Sequence, residues 1–312
     1  MITEKQRKLR RLGVGGSDVP ALFGLSAYKT AYDIYLEKLG LDEHDEPEEE
    51  TLEDYARKAR GNFLEPFVCH MWEKKSGQKL KAKGKIPTII HSKYPFMRVN
   101  VDGILQDGAI LEAKSTSVFC MKDWGEPGTG QIPKAHVIQV AYNSMTSNAP
   151  YAIVGVTSDA GCLFYKYTRN HQLEDVIEKK VAHFWNEHVL KKIPPEPMAM
   201  SDIKHLYPET VQDSAKVLID EIKFHWENYV NTKEHIKDLE KQADSAKLEI
   251  MKFMEDSEYL VDDRQNKIAS FKYMCGRTNL AVKKLKEEKP EIYQQYATIG
   301  KPIRTLRIID KE

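Results

Sequence analysis

Two carboxylates and one ammonium are spaced for metal-assisted chemistry in the stretch VDGILQDGAILEAKS, residues 101–115. Side chains two apart on a strand share a face, so Glu112 and Lys114 address one site. A turn at Asp107-Gly108 folds the chain back and brings Asp102 opposite them. Hard divalent ions such as Mg²⁺, or Mn²⁺ in its place, are held by carboxylates, waters and phosphate oxygens of a substrate, which suits Asp102 and Glu112 as ligands. Beside such an ion, the Lys114 ammonium could orient or help deprotonate an attacking water and offset charge developing at phosphorus. Taken alone, the same string also describes a solvated strand face or a cross-strand ion pair. Here Ile110 and Leu111 precede the charged pair and Ala113 divides it, and charges emerging from an apolar strand need compensation.

The elements that must position this group are legible around it. Tyr55 to Ser76 carries Phe63, Phe67, Val68, Met71 and Trp72 at helical spacing and stops at Gly77, with Glu65 inside that helix. PTIIH and FMRVNVDGIL lead into the hairpin with AILEAKSTS. Ile132 to Met145 reads as a helix begun by proline, YAIVGVTS and GCLFYKYTR as two further strands, and Leu173 to Val189 as a helix. The proline-rich run Ile193 to Pro197 closes a mixed α/β unit of about 200 residues. Beyond it Ile222, Tyr229, Ile236, Ala243 and Ile250 recur every seven residues, with Leu239, Ala246 and Phe253 at the complementary apolar position. That pattern predicts a long helix over Lys216–Met254, continuous or broken near Asn231, which packs as a coiled-coil-like arm on itself or another chain, or simply into a core. Tyr259 to Met274 reads as a hairpin around Asp262 to Asn266. The expected organisation is therefore residues 1–200 as one domain and 201–312 as a helical extension with a hairpin and tail.

Ahead of these lies RRLGVGGSDVPALFG, a glycine-rich turn entering a helix that Ser17 or Asp18 could cap, with Pro20 in its first turn. Backbone N–H groups and the Ser17 hydroxyl at such a turn can receive an anion, and Arg10 or Arg11 can add a bidentate guanidinium. An ordinary capped helix is the plainer reading of the same residues. Ala31 to Leu39 reads as a short helix stopped by Gly40. Residues 41–54 are dense in carboxylates and read as a solvated segment. The lysines at 79, 81, 83 and 85 alternate as a basic rim for a phosphate backbone, or as a solvated edge strand.

Composition sets the class. The chain has 312 residues, 41% hydrophobic and 30% charged, enough apolar content for one large or two modest domains and too much for disorder. Lys+Arg and Asp+Glu balance at 47 each, which leaves room for a local basic groove offset by acidic segments. No apolar run approaches the roughly 18 residues of a membrane crossing, and the charged N-terminus lacks a signal core, so an intracellular protein is expected. Four cysteines, Cys69, Cys120, Cys162 and Cys275, lie too far apart for a zinc or iron–sulfur pattern.

The order of motifs resembles the YqaJ-type viral recombinase family, relatives of phage lambda exonuclease within the PD-(D/E)xK nuclease superfamily. RRLGVGGSDVPALFGLSAYKTAYDIYLEKLG is similar to the family's N-terminal segment, RGNFLEPFV to its Gly-x-x-x-Glu-Pro helix, VDGI and LEAKS to its nuclease core, and VIQVAYNSM to its glutamine-bearing helix. The likeness spans roughly residues 8–195, and the C-terminal third departs from the compact lambda enzyme.

This resemblance implies a restriction-endonuclease-like core, a mixed central sheet flanked by helices. It implies a Mg²⁺-dependent 5′-to-3′ exonuclease on linear duplex DNA, leaving 3′ overhangs for a single-strand annealing protein during phage or prophage recombination in a bacterial cytoplasm. By the same resemblance Glu65 joins Asp102 and Glu112 as a metal ligand, Lys114 is the catalytic lysine, and Gln139 supports lysine and water. Arg10 or Arg11 with Ser17 would bind the terminal 5′-phosphate, and the assembly would be a homo-oligomer, a ring trimer. Two other readings keep the same residues: an endonuclease or resolvase that needs no end, and an inactive DNA- or protein-binding scaffold.

Overall fold

The computed structural model describes residues 4–42, 51–126, 128–159, 161–276, 278–298 and 304–309. Of the acidic stretch, residues 43–50 lie outside the described residues. The chain divides into two units, Met1–Leu206 and Tyr207–Glu312.

The first unit is built on a mixed five-stranded sheet flanked by helices. In chain order its elements are α1 (Glu4–Arg11), α2 (Val19–Leu22), α3 (Ala31–Leu39), α4 (Leu52–Ser76), β1 (Ala82–Lys83), β2 (Ile89–Ile90), β3 (Arg98–Val99), β4 (Gly103–Ile104), β5 (Ile110–Ser115), α5 (Lys134–Ser147), β6 (Tyr151–Ser158), β7 (Gly161–Thr168), α6 (His171–His183) and α7 (Met200–Leu206). The sheet order is β1-β4-β5-β6-β7. Only the β5–β6 pair is parallel, and α5 makes the crossover between them. The other pairs are antiparallel, including the β6–β7 hairpin in full register from Tyr151 opposite Thr168 to Ser158 opposite Gly161.

Alternation along β5 and β6 sends apolar side chains to both faces. Ile110, Ala152, Val154 and Val156 join the larger core with α2, α3, α5 and α6, where Leu22, Ile34, Val140, Tyr142 and Ile177 are buried. Leu111, Ile153 and Phe164 meet Val68 and Cys69 of α4 on the other face. Gly155 lets α4 approach: a Cβ there would lie 2.4 Å from Val68 Cγ1 and 2.8 Å from the Phe164 ring. Charged groups beneath the sheet are paired. Lys38 is fully buried and donates to Asp18 Oδ2 at 2.7 Å, to Glu37 Oε1 at 3.2 Å and to the Arg10 carbonyl at 3.1 Å.

The fold departs from several expectations. FMRVNVDGIL does not run as one strand, because β3 pairs with β2 in a separate two-stranded sheet before the chain enters β4. The expected helix Leu173 to Val189 is α-helical to His183 and a π-turn from Phe184 to Val189. Asp18, not Ser17, stands at the N-cap of α2, and its carboxylate does not bond into that helix. It is drawn back instead to the Gly15 N–H at 2.9 Å and to buried Lys38, which needs a counter-charge. Lys79 and Lys83 do not form a free rim either, since both reach Glu73, at 3.3 and 2.8 Å.

The second unit contains α8 (Asp220–Met254), the hairpin β8 (Tyr259–Val261) and β9 (Lys267–Ser270), then α9 (Val282–Glu288) and α10 (Pro290–Tyr296). The helix α8 runs uninterrupted past Asn231. In the hairpin turn Asp262 accepts the N–H groups of Arg264 and Asn266 at 2.9 and 2.8 Å. No helix among the described residues is long and apolar enough to cross a membrane.

The Lys38 network makes a prediction about acid stability. Burial would raise the Glu37 carboxyl, but Lys38 and Lys29 beside it overcome that and hold it at about 2, below its ordinary 4.5. Its contribution is therefore present above pH 4.5 and lost as the pH falls toward 2. Lys38→Met should cost about 3–5 kcal/mol at pH 7, because it removes the cation paired with buried Asp18 and one of the two that pair with Glu37. The deficit should shrink in urea titrations run at progressively lower pH, and a constant deficit would show that the carboxylates do not depend on Lys38.

Candidate active site

The β4–β5 hairpin sets the centre of the site. Gly103 pairs with Leu111, so Asp102, one residue before β4, stands opposite Glu112. Leu105 donates its N–H to the Ala109 carbonyl at 2.8 Å and closes the turn that the Asp-Gly signal marks. Asp102 Oδ2 accepts the Ala113 N–H at 2.7 Å, which fixes the carboxylate at the strand edge.

Glu112 is 5% exposed and its carboxylate accepts three hydrogen bonds. Oε1 accepts from Lys114 Nζ at 2.6 Å and from Gln139 Nε2 at 2.7 Å. Oε2 accepts from Asn143 Nδ2 at 2.9 Å. Glu65 reaches the same region from α4, at the rim of a cavity of about 220 Å³ lined also by Gly61, Asn62, Ala113, Lys114 and Ser115. Three separate elements thus deliver the expected group: Glu65 from α4, Asp102 with Glu112 and Lys114 from the hairpin, and Gln139 from α5.

The electrostatics are those of crowded carboxylates. Burial, then the Glu112 charge, pushes the Asp102 carboxyl up to about 7, with Glu65 adding to the rise and the Ala113 N–H and Lys114 opposing it. Surrounding protein, then Glu112, also raises Glu65, while Lys114 opposes. Among the described residues no three carboxylate, imidazole or thiol groups are gathered closely enough to hold a metal ion as they stand. The donor chemistry nevertheless fits a hard divalent cation: oxygen ligands only, and mutual repulsion that a cation would relieve.

Two further residues of this site have a signal in the sequence that spacing alone did not single out. His136, Gln139 and Asn143 lie at i, i+3 and i+7 on helix α5, so they share one face. His136 stacks on Trp124 with ring centroids 5.3 Å apart. Burial, then the Lys114 charge, lowers it to about 4, so it stays neutral at pH 7. Asn143 is 1% exposed. Its Oδ1 has no hydrogen-bond partner among the described residues.

The glycine-rich loop is tied to the same helix. Val14 bridges Met97 next to β3, donating to the Phe96 carbonyl at 2.7 Å. Tyr142 Oη donates to the Val14 carbonyl at 2.7 Å and accepts the Arg98 N–H at 3.2 Å. This seats Gly16 against Asn143, where a Cβ would lie 2.0 Å from Oδ1. Arg10 lines a cavity of about 270 Å³ with Gly13, Gly15, Asp18, Lys38 and Arg98. Arg11 turns away toward Asp42, 3.6 Å from its carboxylate. Ser17 is exposed and does not line that cavity.

Asp102 is held in a state that opposes its ionisation, which has a measurable consequence for the metal-free protein. Its folded value of about 7 lies above the ordinary 3.8. The stability it contributes is therefore full below pH 3.8 and lost as the pH rises to about 7. Asp102→Asn should melt higher than the parent in EDTA, by about 2–4 °C for each kcal/mol relieved. The gap should open between pH 4 and 7 and stay level above. A variant that melts lower at pH 8 would refute this electrostatic picture.

Comparison with known proteins places the chain. Residues 6–150 match the model of the YqaJ-like viral recombinase domain. The chain is 30% identical over 295 residues to the uncharacterized protein YqaJ of Bacillus subtilis (strain 168), covering 92% of this chain and 88% of that one. Among solved structures it is similar to the alkaline exonuclease LHK-Exo of Laribacter hongkongensis, with 17% identity, a TM-score of 0.48, and 61% of this chain and 94% of that chain covered. It is also similar to a phage related exonuclease from Haemophilus somnus 129PT, with 15% identity, a TM-score of 0.45, and coverage of 60% and 99%. The extent of the sequence match, carried through both the hairpin and the α5 helix, makes this chain a member of the YqaJ-like viral recombinase family.

Proposed function

We propose that the chain is a metal-dependent deoxyribonuclease that removes nucleotides from the 5′-ended strand of linear duplex DNA. The observation that carries this reading is the single cluster made by Asp102, Glu112, Lys114 and Gln139 around one buried carboxylate. Isolated ion pairs on a strand surface would not gather an amide from a different helix onto the same oxygen. The 3′-ended strand left behind would pass to a single-strand annealing protein, in keeping with a recombinase family and with a phage or prophage origin in a bacterial cytoplasm. Strand polarity and a ring-shaped assembly rest on the family resemblance.

Glu65, Asp102 and Glu112 would hold Mg²⁺ or Mn²⁺. Bound there, the ion would polarise the scissile phosphate and favour ionisation of the attacking water. The chain's own residues do the rest. Lys114 projects from the same strand face as Glu112, so its ammonium can orient the water and offset negative charge on the phosphorus oxygens. Gln139 and Asn143 fix both oxygens of Glu112, so the carboxylate is oriented before substrate arrives. Neutral His136 adds no competing cation beside Lys114.

Arg10 is the arginine we assign to a terminal phosphate, because it lines the loop cavity while Arg11 faces Asp42. The Asp18 carboxylate in that lining favours a second reading, cleavage that needs no DNA end. A closed circle separates the two. With Mg²⁺ the protein should degrade linear duplex and leave a covalently closed circle intact, and EDTA should abolish degradation. Lys114→Ala should reduce the rate at least 100-fold, the scale of a lost acid–base or electrostatic group. Circles cut as fast as linear DNA would establish the end-independent reading, and wild type and Lys114→Ala equally inert would leave the scaffold.

A further inference from the structure

The helix α8 is 35 residues long, about 50 Å at 1.5 Å per residue, and much of its apolar seam is left exposed by the described residues. Ile222 is 52% exposed, Ile236 42%, Leu239 61%, Ile250 45% and Phe253 78%. A helix of this length with an exposed heptad seam gains most of its stability by burying the seam against another helix. We propose that the occupant is α8 of a second copy of this chain, laid antiparallel.

Size and charge along the helix both select this arrangement. Antiparallel pairing of the two seam positions brings Ile236 against Leu239 of the other copy at the centre, and Ile222 against Phe253 at each end. Between them Tyr229 meets Ala246, Ala243 meets Thr232 and Ile250 meets His225, so no layer sets two tyrosines or two alanines against each other. In a parallel pair Tyr229 would meet its own copy while Ala243 and Ala246 would meet theirs, which bulges one layer and hollows two others. The flanks agree. Antiparallel packing sets Lys233 beside Glu240 of the other copy, twice by symmetry, and Trp226 beside Lys247, a cation over an aromatic face. Parallel packing would set Lys233 beside Asn228 and Lys247 beside Gln242, with no opposite charge gained at either. Lys233 and Glu240 have no ion-pair partner among the described residues, whereas Lys241 and Lys252 pair with Asp238 and Glu249 of their own helix, at 3.0 and 2.6 Å. The arm contact is two-fold, so it joins chains two at a time and is separate from any ring formed by the nuclease units.

The test uses the full-length chain with exposed Cys120 and Cys275 changed to serine. Light scattering should give an even multiple of the chain mass, and Ile236→Glu should halve it. Lys233→Glu should raise the dissociation constant severalfold, and adding Glu240→Lys should restore it, because the swapped charges face each other again. Ile222→Cys and Phe253→Cys chains, oxidised as a mixture, should cross-link to each other and not to themselves. Cross-linking of each variant only to itself would establish a parallel pair and overturn the proposal. A single-chain mass for the parent, or an unchanged mass for Ile236→Glu, would overturn it as well and leave the seam to a different protein.

Discussion

The buried carboxylate of Glu112 is the constraint around which the first unit is arranged. A charge at 5% exposure in an apolar strand would be prohibitively costly without partners, and three donors from two elements meet it. Lys114 arrives from the same strand face by the two-residue period. Gln139 and Asn143 arrive because α5 is the crossover between β5 and β6, which must pass over the sheet directly above that position. Crossover and carboxylate support are therefore one device: the parallel β5–β6 pair requires a crossover, and the helix α5 that makes it carries the two amides that bond Glu112.

Asp102 supplies the opposite pressure. Burial, and its place across from Glu112, both oppose its ionisation and push its carboxyl up. Evolution commonly tolerates such destabilised groups where function needs them. The same helix also carries the constraint outward. Tyr142 grips the Val14 carbonyl and Asn143 faces Gly16, so the glycine-rich loop is seated by the helix that fixes Glu112. One side chain, Asn143, thus lies between the loop and the Glu112 carboxylate.

Much of this was legible before any coordinates. The Asp-Gly turn placed Asp102 opposite Glu112, and alternation placed Lys114 beside it, because short-range geometry determines a tight hairpin. The capped helices and the β6–β7 hairpin followed from period and turn chemistry in the same way. The split of FMRVNVDGIL between two sheets was not legible, since it depends on pairing with β2, eight to ten residues away. Ser17 or Asp18 was expected to cap the helix locally, and the Asp18 carboxylate instead meets Lys38, twenty residues later and buried. His136 and Asn143 were present as a polar stripe on α5, but a stripe becomes a site only when the fold shows what it faces. Arg10 and Arg11 are adjacent in sequence and diverge only because α1 rotates successive side chains by about 100°.

A divalent-metal centre held by the carboxylates is the central proposal, and calorimetric titration with Mn²⁺ at pH 7 tests it most directly. The wild-type protein should bind Mn²⁺ and release protons, since the ion displaces the proton that Asp102 retains near neutrality. Repeating the titration in buffers of different ionisation enthalpy counts those protons. Glu112→Gln keeps the shape and the amide contacts on one oxygen while removing the charge, and should lose the binding. Absence of Mn²⁺ binding in the wild type, or binding of equal strength in Glu112→Gln, would contradict the account.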